Sequence, residues 1–315
     1  MSKFRYLKNI LDSHTDKNFF DEKHIKYGID KPEKTIYIIR REDRNVGLFS
    51  NYTYVLGHIN YALNKGWLPV IDFENYRNAY SDAKTIGKKN SWEYYFKQPG
   101  SIKLDDAYKC SNVVLSSGSV IKNMPNISMD FFNNAEKIDY WRTLAHNFVG
   151  LKPEVIAQID SEWKEKFGDT GTEKVLAVLL RGTDYINLKP SKHPVQPTVE
   201  EAIKEIDIRL DSGKYESVFL ATEDQYLLEK LENRFGNLLK YRQGYRFKHD
   251  TGELLSKVKI KDIDSYTRGL EYLIAIGMLA RCDDFWGGRT SGTLGALLLS
   301  DGFNSFEVWN RGVYD

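Results

Sequence analysis

Cysteine is scarce in this sequence, with two among 315 residues, Cys110 and Cys282. Two cysteines cannot build a disulfide framework, and these two lack the paired spacing of a metal site. The cysteine content therefore favours a protein of a reducing compartment, and we expect it to be cytoplasmic.

An excess of charge of either sign is also missing. Lys and Arg number 45 against 44 Asp and Glu, which makes the formal net charge +1. A nucleic-acid partner is excluded, because a broad grip on nucleic acid needs an excess of Lys and Arg. The balance still allows a small basic pocket that binds one anionic ligand.

No hydrophobic run is long enough to cross a membrane. The most apolar stretch, residues 270–282, has about a dozen residues and contains Glu271 and Arg281, whereas a span takes roughly 20 apolar residues. The opening segment MSKFRYLKNILDSHTDKN lacks the apolar core of a signal peptide. We expect a soluble protein, and we leave open a peripheral association with the inner face of the membrane.

The sequence does contain the alternation of strands and helices. Residues 35–40 and 67–72 are predicted strands, and residues 54–64 between them have apolar side chains at helical spacing, with Gly66 as the stop. Such a strand–helix–strand unit is typical of a parallel α/β layer. A loop carrying Asn51 is expected before the helix, and residues 113–115 are a further strand candidate.

A second α/β series follows residue 173. Residues 174–180 are almost continuously apolar, which is typical of a strand covered on both faces. Thr198 and Glu201 have the spacing of a capping box that opens a helix. The other strands are predicted at 216–221, 238–242, 284–286 and 305–309, and the other helices at 225–235, 266–281 and 291–300. A helix at 153–167 and a linker at 168–172 precede this series.

Three polar clusters come after predicted strands of the second series. They are residues 181–185 (Arg-Gly-Thr-Asp-Tyr), 222–224 (Thr-Glu-Asp) and 287–292 (Gly-Gly-Arg-Thr-Ser-Gly). Ligands of doubly wound sheets bind beyond the carboxyl ends of the strands, so the three clusters can converge on one site.

Arg181 is the most informative residue of these clusters. It directly follows an apolar strand, where an unpaired guanidinium is costly and needs an anionic partner. A phosphate group suits the planar fork of arginine, while pairing with Asp184 or Glu223 is the structural alternative. The turn at 287–292, with Arg289, is either a phosphate nest before a helix or a plain glycine turn.

Other chemistries have weaker support. His193, in the loop after Arg181, can reach the same site or have a structural role. The acidic pairs at 105–106 and 283–284 lack the Asp-x-Asp spacing of a metal-dependent sugar-nucleotide site, so no metal is expected. No Gly-x-Ser-x-Gly elbow is present, which argues against a nucleophilic hydrolase.

In their order and spacing these clusters resemble the fucosyltransferase superfamily, and the α-1,6 branch with its nodulation-type bacterial relatives is the most similar. The family's arginine motif, His-x-Arg-Arg-Thr-Asp, corresponds to residues 179–184, and its loop with His-Pro to His193 and Pro194. Its second motif corresponds to residues 219–224, its third to 268–297, and its first strand–helix–strand unit, in outline, to 47–72.

The resemblance implies an α/β protein with two Rossmann-like lobes that face a central cleft, the GT-B architecture. Residues 1–165 would be the acceptor lobe and residues 166–315 the donor lobe. The implied activity is that of an inverting, metal-independent glycosyltransferase that uses GDP-fucose and a glycan or oligosaccharide acceptor.

The resemblance also implies roles for individual residues. Arg181 would bind the β-phosphate of the donor and help GDP to leave, and Glu223 and Asp224 would orient it. Asp283 would read the guanine edge, and Thr290 and Ser291 would lie near the diphosphate. The catalytic candidates are Arg181 and Asp184, and the donor-binding candidates are Arg181, Thr183, His193, Glu223, Asp224, Asp283, Arg289, Thr290, Ser291 and Gly292.

Three positions depart from the family pattern. Leu179 replaces the histidine of the motif, Gly182 replaces its second arginine, and Lys189 stands where the proposed base is expected. Arg289 is a hypothetical substitute for the lost arginine. Asp184, His193 or a residue of the first lobe are the candidates for the base, and another GDP-sugar can replace GDP-fucose.

Two rival functions remain. A catalytically silent protein that binds a sugar nucleotide or a glycan on the same fold would explain the missing arginine and the missing base. A nucleotide-dependent enzyme of another chemistry, such as a dehydrogenase, is disfavoured because no Gly-x-Gly-x-x-Gly fingerprint is present. The acceptor, the linkage and the oligomeric state do not follow from the sequence.

Overall fold

The computed structural model describes residues 2–82, 84–168, 173–255, 258 and 263–315. Most of the linker predicted at 168–172 lies outside the described residues. The described part of the chain groups into two compact units, each with its own sheet. The first unit comprises Met1–Asn126, Asp139–Val155 and Asp262–Leu270, and the second comprises Ile127–Ile138, Ile156–Lys261 and Glu271–Asp315. The roles of an acceptor lobe and a donor lobe stay predictions.

The helices, numbered in chain order, alternate with the strands along most of the chain. They are α1 (Ser2–Thr15), α2 (Leu48–Asn64), α3 (Leu104–Ala107), α4 (Met129–Phe132), α5 (Ala135–Phe148), α6 (Pro153–Phe167), α7 (Thr183–Asn187), α8 (Val199–Asp211), α9 (Gln225–Phe235), α10 (Ser265–Leu279) and α11 (Ser291–Leu299). Among the described residues, no helix has the length and apolar character that a membrane crossing requires.

The sheet of the first unit has the strand order β1-β4-β2-β3. Its strands are β1 (Lys23–Ile25), β2 (Ile36–Arg40), β3 (Leu68–Asp72) and β4 (Val113–Leu115). β2 is buried along its whole length and runs parallel to β3 and β4, while β1 is antiparallel to β4. The predicted strand–helix–strand unit is confirmed by β2, α2 and β3.

The start of α2 differs from the prediction. Asn51 lies in the first turns of the helix, which begins at Leu48, and the expected loop is therefore wrong. Ser50, Asn51 and Thr53 are residue types that favour turns, but the helix places Asn51 and Thr53 in a buried face together with its apolar residues. Tertiary burial overrides the weak local preference of these residues.

The sheet of the second unit consists of parallel strands in the order β7-β6-β5-β8-β9. These are β5 (Val175–Leu180), β6 (Ser217–Thr222), β7 (Leu239–Tyr241), β8 (Asp284–Gly288) and β9 (Ser305–Trp309). This is a Rossmann-like arrangement, and it agrees with the predicted alternation. All six residues of β5 are buried, as expected for a central strand with helices on both faces.

The helices of the second unit follow the sequence signals closely. The Thr198 hydroxyl accepts a hydrogen bond from the Glu201 amide at 3.2 Å, and the Glu201 carboxylate accepts one from the Thr198 amide at 2.9 Å. This capping box opens α8, as predicted. α8 and α9 bury Ile206 and Leu231 in one apolar cluster with Val178 of β5. The packing holds the central strand in place beneath the polar residues that follow it.

Candidate functional site

Three strands of the second unit end beside polar residues at one edge of the sheet. Arg181 follows β5, Glu223 follows β6, and Arg289 follows β8. Because β5 lies between β6 and β8 and all three are parallel, their carboxyl ends meet at this edge. The strand-end cluster, as we call it, comprises Arg181, Thr183, Asp184, Glu223, Asp224 and His249.

Arg181 is held by a carboxylate three residues further along the chain. Its Nε lies 3.2 Å from Asp184 Oδ1, and its Nη2 lies 2.9 and 3.0 Å from Oδ1 and Oδ2. The guanidinium also lies 4.9 Å from the ring centre of Tyr185 and 3.6 Å from Glu223 Oε1. Nη1 makes no hydrogen bond to the part of the chain that the structure describes, so this guanidinium nitrogen remains available to a ligand.

The charges in this cluster shift one another's pKa values. Burial by itself lowers the pKa of Arg181, but Glu223 and Asp184 outweigh burial and raise that pKa above its ordinary value. Burial raises the pKa of Glu223, and the Arg181 guanidinium opposes that rise. Arg181 is therefore a permanently charged cation in a partly desolvated place, where it attracts an anionic ligand more strongly than in water.

The turn after β5 has an unusual backbone that the end of β6 holds in place. Thr183 has a φ of +39°, in the left-handed region that residues other than glycine rarely adopt. Its amide donates to Asp224 Oδ2 at 2.8 Å, and its hydroxyl donates to Glu223 Oε1 at 2.9 Å. The Gly182 amide donates to the same Glu223 oxygen at 2.9 Å. Such strain persists only where surrounding contacts impose it, and it concentrates at functional sites.

Asp184 has little capacity left for proton transfer. Its side chain is 2% exposed, and both oxygens face Arg181. Oδ2 also accepts a hydrogen bond from the Leu255 amide at 3.0 Å. These contacts make Asp184 the residue that fixes the Arg181 side chain, which agrees with the structural pairing that the sequence left open.

His249 belongs to the cluster although the sequence analysis did not select it. The Nδ1 atom of His249 lies 2.5 Å from Oδ2 of Asp224. The side chain of Asp224 is fully buried, whereas that of His249 is 30% exposed. Two backbone hydrogen bonds, from the Phe247 amide to the Glu223 carbonyl and from the Gln225 amide to the Phe247 carbonyl, hold this segment beside the end of β6. No periodicity marks residues 243–250, so tertiary contacts alone bring His249 here.

The glycine-rich turn after β8 leads into α11. The Thr290 hydroxyl caps the helix by accepting from the Thr293 amide at 3.3 Å, and Ser291 is the first helical residue. A Cβ on Gly292 would lie 3.2 Å from Leu179 Cδ2 and closer still to the Tyr272 hydroxyl, so a larger residue would have to displace these side chains. The first amides of a helix this long are suited to phosphate oxygens.

Arg289 lies in the same turn. Its Nη1 donates to Asn310 Oδ1 at 3.1 Å. Its Nε is buried and has no hydrogen-bond partner among the described residues. A buried donor without an acceptor is costly, and a bound anion would satisfy it.

His193 is linked to the cluster through an aromatic ring. Its imidazole packs edge-on against Tyr185, with ring centres 5.2 Å apart, and the Arg181 guanidinium contacts the same ring. Its Nδ1 lies 3.1 Å from the Ser191 carbonyl oxygen. His193 therefore lies near the predicted site, with one ring nitrogen engaged by its own loop.

Asp283 is not part of this edge, which corrects its predicted place in the site. Its Oδ1 accepts from Lys174 Nζ at 2.7 Å and its Oδ2 from the Val175 amide at 3.0 Å. Both contacts lie where β5 begins, whereas Arg181 follows the end of that strand. At about 3.3 Å per residue, the two side chains are separated by roughly 20 Å along the sheet. Asp283 comes before β8, not after it, and it cannot read a base bound at the carboxyl edge.

The chemistry of this edge suits a diphosphate. Nη1 of Arg181 and Nε of Arg289 have no hydrogen-bond partner among the described residues, and the start of α11 presents backbone amides to the same edge. The His249 imidazole is a group that can exchange a proton. Within the described residues, no group of three or more His, Cys, Asp or Glu side chains is arranged to hold a metal ion.

Comparisons with known proteins identify the fold. No protein-family model matches the sequence, and no curated protein sequence matches it either. A mutant of FUT1 from Arabidopsis thaliana, solved in complex with GDP, has a TM-score of 0.51 at 10% identity over 96% of this chain and 74% of its own. The chain therefore has the fold of this plant protein, and the predicted α/β fold of the GT-B type is confirmed.

Two other solved structures were also found to be similar. Fucosyltransferase NodZ from Bradyrhizobium has a TM-score of 0.49 at 17% identity, over 85% of this chain and 94% of its own. POFUT1 in complex with GDP-fucose has a TM-score of 0.47 at 11% identity, over 89% of this chain and 99% of its own.

Proposed function

We propose that this chain is a glycosyltransferase that transfers fucose from GDP-fucose to a hydroxyl group of a glycan or polysaccharide. The observation that carries the proposal is the Arg181 guanidinium, which Asp184 holds by two nitrogens while Nη1 is left for a ligand. Arg289 and the start of α11 lie at the same edge. The plant enzyme with this fold was solved with GDP, which supports a GDP-linked donor.

The proposed reaction is a single displacement that inverts the sugar carbon. An acceptor oxygen forms a bond to C1 of the sugar while the bond between C1 and the diphosphate oxygen breaks, and GDP leaves with the electron pair. Negative charge then grows on the diphosphate, and fixed cations stabilise that charge without having to reorganise. Arg181 and Arg289 supply these cations, so the proposed mechanism needs no metal ion.

The other residues at this edge bind or position in the proposed mechanism. Glu223 and Asp224 hold the turn of Thr183 and thereby the direction of Arg181. Hydroxyl and amide groups of Thr290, Ser291 and Gly292 bind the diphosphate, because helix N-termini favour anions. His193 lines the site through its contact with Tyr185.

The proton of the acceptor hydroxyl goes to His249 in this proposal. Asp224 accepts a hydrogen bond from Nδ1, which orients the imidazole and leaves Nε2 as the basic nitrogen. The carboxylates of the cluster are engaged by Arg181 and by backbone amides, whereas the imidazole is partly exposed. An orienting carboxylate behind a histidine is a recurring arrangement of general bases.

One observation favours a second candidate, a silent protein that binds a GDP-sugar without transferring it. Gly182 occupies the position of the second arginine of the motif, and a side chain does not fit there while Asp224 keeps its place. Loss of one diphosphate ligand would lower turnover more than affinity if the remaining donors still hold GDP.

Nucleotide binding and donor hydrolysis together test the proposal. In a thermal-shift series with GDP, UDP, ADP and NAD we expect stabilisation by GDP, and stabilisation by UDP or NAD alone would overturn the donor assignment. With GDP-fucose alone we expect slow release of GDP that disappears in Arg181→Ala. The exposed Arg234→Ala is the matched control, since Arg234 pairs with Asp207 on α8.

The same pair of measurements separates the two candidate functions. GDP release that depends on Arg181 supports the transferase. Tight binding of GDP-fucose with no release of GDP, in the wild-type protein, supports the silent binder and removes the transferase.

A further inference from the structure

Helix α1 turns its apolar side to solvent. Phe4, Leu7 and Leu11 are 76%, 50% and 67% exposed. Their spacing of three and four residues places them on one face of the helix. An amphipathic helix of a soluble domain ordinarily buries this face, and a contiguous exposed apolar face marks an interaction site.

The opposite side of α1 packs against the first unit with polar and aromatic groups. The Arg5 guanidinium lies 3.7 Å from the ring centre of Tyr108. Tyr6 packs against Gly87, where an added Cβ would lie 2.8 Å from Tyr6 Cβ. Arg5 Nη1 and Asn9 Nδ2 are buried without a hydrogen-bond partner among the described residues. The fold therefore anchors α1 by its polar side and makes no use of its apolar face.

Two exposed lysines of α1 flank the apolar face. Lys3 and Lys8 are exposed on α1, and Lys84, Lys88 and Lys89 are exposed on the neighbouring loop. The loop touches the flank of α1 at Gly87, where an added Cβ would lie 3.4 Å from the Lys3 Cα. Lys3 and Lys8 therefore flank the apolar face with positive charge, whereas Lys88 and Lys89 line a cleft together with Glu74, Glu93, Asp105 and Asp106.

Few carboxylates offset Lys3 and Lys8 on the helix. Asp12 is the acidic residue of α1, and residues 84–89 contain none. Asp82 precedes that loop and accepts hydrogen bonds from the amides of Lys84 and Thr85. Asp105 faces Arg5 on the packed side of the helix, at 3.9 Å. The exposed side of the α1 surface keeps an excess of positive charge.

We infer that α1 docks this protein on an anionic bilayer surface. Phe4, Leu7 and Leu11 enter the boundary between headgroups and acyl chains, and the flanking lysines contact anionic headgroups. A second copy of the chain is a poorer occupant, because self-association would bring flanking charges of the same sign together. The inference does not depend on the proposed transfer reaction.

Vesicle flotation tests the docking surface. We expect the full chain to float with phosphatidylcholine vesicles that contain about 30 mol% phosphatidylglycerol, and to float less with phosphatidylcholine alone. The triple variant Phe4→Ser, Leu7→Ser, Leu11→Ser should bind the anionic vesicles at least about tenfold more weakly, because the apolar side chains that insert are gone. Its thermal unfolding should match the wild type, since these side chains are exposed.

Two further variants separate the apolar and the electrostatic contributions. Lys3→Gln, Lys8→Gln should reduce the preference for anionic vesicles and the sensitivity of binding to salt. The control variant replaces as many exposed apolar side chains in the second unit, by Ile208→Ser, Leu238→Ser and Val313→Ser, and should float like the wild type.

Three results would overturn the inference. The first is a wild-type protein that floats with neither vesicle. The second is a Phe4, Leu7 and Leu11 variant that floats like the wild type. The third is a protein that ignores vesicles but forms a dimer, which that variant converts to a monomer in light scattering; the α1 face would then belong to a second copy.

Discussion

The side chain of Asp224 lies directly against the α-carbon of Gly182. A Cβ on Gly182 would stand 2.6 Å from Asp224 Cβ, and closer to one carboxylate oxygen. Asp224 cannot withdraw easily, because it caps α9 and accepts hydrogen bonds from Thr183 and His249. In this chain the glycine and the arrangement of Asp224 depend on each other, so the arginine of the related motif cannot simply be restored.

We expect Gly182→Ala to lower the free energy of unfolding by about 1–3 kcal/mol, since the added methyl group must displace Asp224. Gly182→Arg should be worse for stability and should not raise activity. Urea unfolding measures the loss, and Gly100→Ala is the control, because nothing lies within 4 Å of a Cβ at Gly100. A Gly182→Arg variant that is stable and more active would contradict this account.

A second prediction concerns His249, the proposed base. His249→Ala should lower kcat by about 10²- to 10⁴-fold while the Kd of GDP-fucose changes little, since the imidazole acts on the acceptor proton. Added imidazole should restore part of the rate. His146→Ala, on an exposed part of α5, controls for loss of a histidine. A His249→Ala variant that keeps the kcat of the wild type would assign the base elsewhere.

Two substitutions of Arg289 separate the contribution of its charge to diphosphate binding from the contribution of its planar, forked shape. Arg289→Ala should weaken the binding of GDP-sugar more than Arg289→Lys, because lysine keeps the charge but loses the fork. Titration calorimetry with GDP-fucose compares the two variants. Arg281→Ala is the matched control, since Arg281 precedes β8 at the other edge of the sheet and pairs with Asp160. Equal affinity in wild type and both variants would place Arg289 outside the site.

Glu74 in the first unit predicts a pH dependence of stability. Burial, with help from Asp72 and Asp105, raises the pKa of Glu74 to about 7 from an ordinary value of 4.5. The folded protein then keeps a proton that the unfolded chain releases, so this group lowers stability as the pH rises from about 4.5 to 7. Partial exposure and solvent screening reduce the size of the effect.

The variant Glu74→Gln removes this dependence. The stability of this variant relative to the wild type should be greater at pH 8 than at pH 5, as measured by urea unfolding at both pH values. Glu154→Gln, exposed at the start of α6, controls for the removal of one negative charge. A stability difference that is the same at both pH values would show that Glu74 titrates normally.

Local sequence determined most of the elements of the second unit. The capping pair Thr198 and Glu201 and the apolar run of β5 each act within a few residues, so their structural outcome could be predicted without knowledge of the rest of the chain. Arg181 could be selected for a related reason, because a cation directly after a buried strand must meet an anion at the carboxyl edge. These are the features that neighbouring residues decide.

Tertiary structure decided which of these residues meet. Asp283 precedes the strand that the sequence predicts at 284–286, but only the pairing of β8 with β5 shows that it meets Lys174 and Val175 at the amino edge. His249 joins Asp224 across 25 positions through a segment without periodicity, and Asn51 is helical because burial outweighs local preference. Contacts of this kind depend on packing between distant segments. The sequence therefore determined the strand ends and the candidate arginine, and the fold determined their partners.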